Sequence, residues 1–169
     1  MPGSLAADVA PLDSFVRDFA DRWRDAWNTH EVGAILELMT ADVTYIDSAW
    51  HKTMHGHADV REYLTVFWRA FPDMVFEMPS GPFIDPRTDT AVLHWRGLGT
   101  HNGVLDPPGI AATGRPIDCE GLDLQEYRDG RISRIWMLSD MADVMRQLGF
   151  LPPRGSDAEQ ALISMGRAR

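Results

Sequence analysis

The sequence predicts an α+β fold, a curved antiparallel sheet with N-terminal helices that enclose one apolar pocket. Three observations carry this. Apolar residues recur at helical spacing through most of the first 71 positions, with one strand-like interruption. After Pro72 the period changes to two, and four strand-like stretches follow. Helical and strand-like elements are therefore segregated, the arrangement in which helices cover one face of a sheet.

The elements follow in order. Residues 1–10 are small and mixed and read as a flexible lead. Asp13 and Ser14 are capable helix N-caps, and Phe15, Phe19, Trp23 and Trp27 then recur every fourth residue. Asn28-Thr29-His30 breaks that helix, and a short one follows through Ile35, Leu36 and Met39. Residues 43–47 are short and rich in β-branched and aromatic side chains, hence a strand. A polar, aromatic loop leads to a third helix carrying Val60, Tyr63, Leu64, Phe67 and Phe71 on one side, ended by Pro72. Strands are predicted over 75–78, 91–98, 117–127 and 132–138. Asp129-Gly130 between the last two is a hairpin signal. Asp140 opens a final short helix that Gly149 stops. One domain spans residues 11–151, and residues 152–169 read as a C-terminal arm or disordered tail.

Composition narrows the function. The 169 residues carry a net charge of −9 and show no basic stripe, which argues against nucleic acid and anionic membrane surfaces as partners. The one cysteine, Cys119, allows no intrachain disulfide and reads as a small buried hydrophobe. The sequence shows neither a signal-peptide pattern nor an apolar run long enough for a membrane helix, so a cytoplasmic location is expected. Six Trp and seven Phe are many for this length and suit the walls of a pocket for a flat organic molecule. His51, His55 and His57 match no familiar zinc spacing, so no metal is expected.

An ordered series of short stretches goes further. It includes Ala26-Trp-Asn28, Asp42-Val-Thr-Tyr-Ile-Asp47, Ala70-Phe-Pro-Asp73, Gly99-Thr-His-Asn-Gly103, Tyr127-Arg-Asp-Gly-Arg-Ile132 and Trp136-Met-Leu-Ser-Asp140. The series resembles the SnoaL-like polyketide cyclases, a branch of the nuclear-transport-factor-like superfamily, over residues 15–151. The resemblance implies a cone-shaped α+β fold, a homodimer joined through the outer sheet face, and chemistry without metal or organic cofactor. It implies a small hydrophobic substrate and intramolecular aldol ring closure, with the carboxylate at Asp140 as acid and base. The superfamily also holds isomerases, epoxide-opening enzymes and non-catalytic binding domains, and fold alone does not choose among them.

Candidate residues follow from both lines. Asp140 stands where the last helix begins, so it is either a pocket carboxylate or an N-cap. His101, between glycines, is a candidate donor to a substrate carbonyl. If even-numbered side chains of the last two strands point inward, Leu124 and Glu126 face Trp136 and Asp140, and two carboxylates share the pocket. Glu126 stands where the aldol cyclases tend to carry a basic residue, which favours other acid/base chemistry such as epoxide opening. Tyr45 and Asp47 share one face of the first strand, the phenol as a catalytic candidate and the carboxylate as a substrate contact. Trp27, Trp50, His51, Trp68, Trp95 and Trp136 are the remaining candidates for core or pocket wall. The expected activity is a cofactor-independent cyclisation or isomerisation. Epoxide opening and binding without catalysis are the alternatives.

Overall fold

The computed structural model describes residues 5–167, with side chains over 12–166. Its elements are α1 (Leu5–Thr29), α2 (Val32–Glu37), β1 (Met39–Asp47), β2 (Met54–His55), α3 (Gly56–Ala70), β3 (Val75–Asp85), β4 (Thr90–Thr100), β5 (Pro116–Arg128), β6 (Arg131–Ser139), α4 (Met141–Gln147) and α5 (Asp157–Arg167). Residues 1–4 of the expected lead lie outside the described residues. From Leu5 onward the lead is already α1. The expected arm holds α5, whose Glu159 pairs with Arg146 of α4. No helix among the described residues is long and apolar enough to cross a membrane.

The six strands form one sheet in the order β2-β1-β6-β5-β4-β3. Neighbours are antiparallel except β1 and β6, which run parallel. The expected sheet is thus right in its curved run of β3 to β6, and the first strand joins it in the other sense. The hairpin at Asp129-Gly130 forms with both residues at positive φ, +54° and +72°, the backbone a two-residue turn between twisted strands requires. Register shifts in β3 after Glu77 and Ser80 bend that edge strand, which curls the sheet around its helices.

The concave face is filled by the apolar stripes of α1 and α3. Phe19, Trp23 and Trp27 of α1 and Val60, Tyr63 and Leu64 of α3 are buried there. Each fully buried side chain of this size stabilises the fold by about 1.5–3 kcal/mol. α1 is anchored at its C-terminal end by Asn28, which receives the N–H of Phe76 and donates to its carbonyl oxygen.

Of the two strand parities open to the sequence, the structure takes the one that keeps Glu126 out of the cavity. The odd-numbered side chains of β5 and β6 point inward: Asp123, Gln125, Ile135 and Met137 are buried, whereas Leu122 is 43% exposed and Leu138 57%. The physical reason is that both faces of these strands carry apolar residues, so alternation separates two faces without saying which is inside. Gly121 decides it. A Cβ there would stand 2.2 Å from Cζ2 of Trp95, so only a bare backbone admits that indole against β5.

Candidate functional site

A cavity of about 230 Å³ opens inside the cone. Its back wall is aromatic, with Trp27 from α1, Phe76 from β3 and Trp95 from β4. α3 adds Tyr63 and Phe67. Over the mouth lie Met141, Val144 and Met145 of α4, and Leu105, Pro107 and Ile110 from the loop between β4 and β5. Among the described residues that line it there is no Lys, Arg or His, and Asp47 is the one carboxylic acid. Such a mostly apolar hollow with few convergent polar groups is the usual form of a small-molecule site.

Asp47 ends β1 on its inward face and is 6% exposed. Tyr63, from the facing side of α3, donates its phenol to Asp47 Oδ2 at 2.6 Å. The backbone N–H of Ala49 donates to Oδ1 at 2.7 Å as the chain turns out of the strand. Burial raises the Asp47 pKa above the usual carboxylate range, and these two hydrogen bonds oppose the rise without cancelling it. Tyr63 is held firmly as the neutral phenol, first by burial and then by the charge of Asp47. Cys119 also reaches the wall, and burial pushes its thiol up to about 11, so it stays protonated at neutral pH.

Four of the expected wall residues meet here: Asp47, Trp27, Trp50 and Trp95. The others go elsewhere. Asp140 is not in the cavity. It caps α4, receiving the N–H of Asp143 at 3.0 Å, and its other oxygen meets Arg154 at 3.4 Å. Its side chain is 60% exposed, beside Asp118, Glu120 and Asp143 in an outer groove. The capping geometry wins because Asp140 lies one residue past the end of β6, where the chain has already turned outward. Glu126 lies on the outer face in register with Arg134, about 20 Å along the strand from the level of Asp140 at ~3.3 Å per residue, so no carboxylate pair forms.

Tyr45 is fully buried behind the lining, its ring against Tyr63 at 5.5 Å and its hydroxyl on Sδ of Met137 at 3.6 Å. His101 is fully buried, packed at a tilt against Phe71 and outside the lining. The N–H of Thr113 donates to its Nδ1, so the ring proton sits on Nε2, which has no partner. Burial lowers its pKa and keeps it neutral. It staples the base of the loop over the mouth, with further backbone bonds to Gly114 and Arg115. Trp68 is core, between Trp27 and His30. His51 is exposed and packs on Trp50. Leu124 and Trp136 belong to the outer face, the latter under the guanidinium of Arg134.

Two residues were missed. Tyr63 reads in sequence as one more apolar position of a helix stripe, and nothing local says that its hydroxyl meets Asp47. Asp123 lies on the strand face opposite to the one on which candidates were sought, and was not named. It is 1% exposed and accepts the indole N–H of Trp23 at 3.1 Å and of Trp95 at 2.9 Å.

Comparison with known proteins agrees with this architecture. No curated protein sequence is significantly similar. Among solved structures, a protein from Jannaschia sp. CCS1 proposed to be a SnoaL-like polyketide cyclase matches with a TM-score of 0.72 and 18% identity, over 84% of this chain and 96% of its own. AclR from Streptomyces galilaeus, proposed to be a hydroxylase, matches with a TM-score of 0.68 and 20% identity over 94% of both chains. IdmH from Streptomyces antibioticus, proposed to be a polyketide cyclase, matches with a TM-score of 0.64 and 23% identity, over 79% of this chain and 97% of its own. At such identities these likenesses speak for the fold. The family model for SnoaL-like polyketide cyclases matches residues 17–148, most of the chain, and on that extent the protein belongs to the SnoaL-like polyketide cyclase family.

Proposed function

We propose that this protein is a cofactor-independent acid/base catalyst that closes a ring in, or isomerises, a flat hydrophobic polyketide-like molecule, with Asp47 as the proton carrier. The observation that supports this most is the position of Asp47: a buried carboxyl in the wall of an otherwise apolar cavity, oriented by Tyr63. A general base works best with a pKa lifted toward the working pH, and burial provides that lift. In this reading Asp47 takes a proton from carbon next to a substrate carbonyl and returns it to the product. Tyr63 holds the carboxylate in place and supports its charge. The aromatic walls exclude water and press the substrate flat.

Asp47→Asn keeps shape and removes the base. It is expected to lower the rate of α-carbon deuterium exchange into 2-tetralone, followed by NMR in D2O, by at least about 100-fold. Unchanged exchange in that variant rejects the role. Saturable binding of 2-tetralone with no exchange by the wild type supports the binding-only alternative. Epoxide opening needs an acid at the epoxide oxygen as well as a base, and Tyr63 is the hydroxyl placed next to Asp47 for it. Turnover of a naphthyl epoxide, with the ketone left untouched, selects that chemistry.

A further inference from the structure

The back wall of the cavity belongs to a chain of rings. Trp23 meets Trp27 edge-on at 5.8 Å, Trp27 meets Phe76 at 5.0 Å, and Phe76 meets Trp95 at 5.9 Å. The two ends of this chain, Trp23 on α1 and Trp95 on β4, both point their N–H groups at one carboxyl. Asp123 accepts from Trp23 at Oδ2 and from Trp95 at Oδ1, and Gln125 adds a long contact of 3.5 Å. Four rings and one side chain thus close a loop. Behind it lies a small chamber of about 10 Å³, edged by Trp23, Met78 and Asp123. Arg24, at the edge of that chamber, is bonded to Asp21 and Asp25 instead of Asp123.

We propose that Asp123 is a positioning residue that sets the depth of the cavity, by locking the two indoles that close the aromatic back wall. The proposal rests on the reading that the cavity takes a flat hydrophobic molecule. Its physical basis is the cost of the alternative. A carboxyl at this depth, without a cation, is an expensive group to keep for packing alone. Burial pushes it up to about 7 even though three donors hold it. In return it fixes the rotation of Trp95, which with Trp27 and Phe76 lines both the main cavity and the space behind. Without the carboxyl, Trp95 keeps its contact with Gly121 and loses its rotational lock, so the wall yields toward the chamber.

The test compares the wild type with Asp123→Asn and Asp123→Leu, each checked for folding by circular dichroism. The amide retains one acceptor oxygen and turns an N–H toward the second indole, so the Asn variant removes half the lock with little change of volume. Calorimetric titration with 2-naphthol and with 2-hydroxyanthracene reads the depth. The proposal expects the affinity ratio to shift at least fivefold toward the three-ring phenol in the Asn variant. It also expects two indole N–H signals, assigned with Trp23→Phe and Trp95→Phe, to move together in the nitrogen-correlated proton spectrum. A purely structural Asp123 weakens both phenols by the same factor. An unchanged ratio in the folded Asn variant therefore overturns the proposal, even if the Leu variant does not fold. A wild type that binds neither phenol instead overturns the reading of the cavity, and the proposal with it.

Discussion

The phenol of Tyr63 and the carboxyl of Asp47 meet at 2.6 Å across the gap between α3 and the end of β1, inside the apolar cavity. The bond does two things. It sets the rotamer of Asp47, and it stabilises the charged form of a group that burial would otherwise leave more fully protonated.

Tyr63→Phe tests that balance. Loss of the bond raises the Asp47 pKa further, because one of the two groups that lower it is gone. Asp47 then ionises only at higher pH. The acid limb of the pH–rate profile is expected to move upward, with the rate at its alkaline plateau least affected. A profile that keeps its midpoint and loses height uniformly points to a packing role for Tyr63.

Asp140 separates capping from catalysis. Asn is as good an N-cap as Asp, so Asp140→Asn is expected to retain both stability and turnover. Asp140→Ala is expected to lose about 0.5–2 kcal/mol of stability while its turnover at a permissive temperature stays close to wild type. Denaturant melts and a single-temperature assay of both variants check this.

Asp123 gives stability a pH dependence of known sign. Its folded-state pKa of about 7 lies above the unfolded value near 3.9, so the native state binds more protons between those limits. The contribution is fully present below about pH 4 and is lost as pH rises through about 7, a difference on the order of a few kcal/mol. Asp47, also raised by burial, acts in the same direction. Asp123→Asn is expected to flatten the stability curve between about pH 4 and 7. Urea midpoints measured across that interval decide it, and an equally steep curve in the variant refutes it.

Two glycines make a matched pair. A Cβ on Gly121 would meet Trp95 at 2.2 Å and the carbonyl oxygen of Leu138 at 2.4 Å. Gly121→Ala is expected to cost about 3 kcal/mol or more, since backbone must move. Gly33, inside α2, has nothing within 4 Å of a Cβ, and Gly33→Ala is expected to gain about 0.5–1 kcal/mol from helix propensity. Thermal melts of the two variants should therefore shift in opposite directions.

How far the sequence could be read depended on the kind of signal. Helix stripes such as Phe15 to Trp27 and the Asp129-Gly130 turn are local, and they matched the structure. The parallel pairing of β1 with β6 is not local: residues 45 and 135 become neighbours without any shared pattern. Strand parity failed for a related reason. β5 carries Leu122 and Leu124 on one face and Asp123 and Gln125 on the other, and a rule that puts apolar side chains inside chooses the wrong face. The inside of this strand is polar because the indoles of Trp23 and Trp95 need an acceptor there. The same parity paired Glu126 with Asp140 and left Asp123 unnamed, whereas Asp140 itself was singled out by its place at the start of the last helix and by the family resemblance. Asp47 was singled out because its own strand placed it beside Tyr45 in alternation, yet its partner Tyr63 lies 16 positions away on another element.

The materials of the cavity differ from side to side. Its back is made of stiff rings braced against the sheet, whereas Met141 and Met145 close its front and Met74 and Met137 fill its seams. Thioether chains are unbranched and polarisable, and they reshape around what they touch. The cavity therefore offers a fixed outline on one side and an adjustable one on the other. Diversification toward new guests is cheapest among those methionines, where an altered outline is absorbed locally, and hardest at the indoles, where one change unsettles the whole frame.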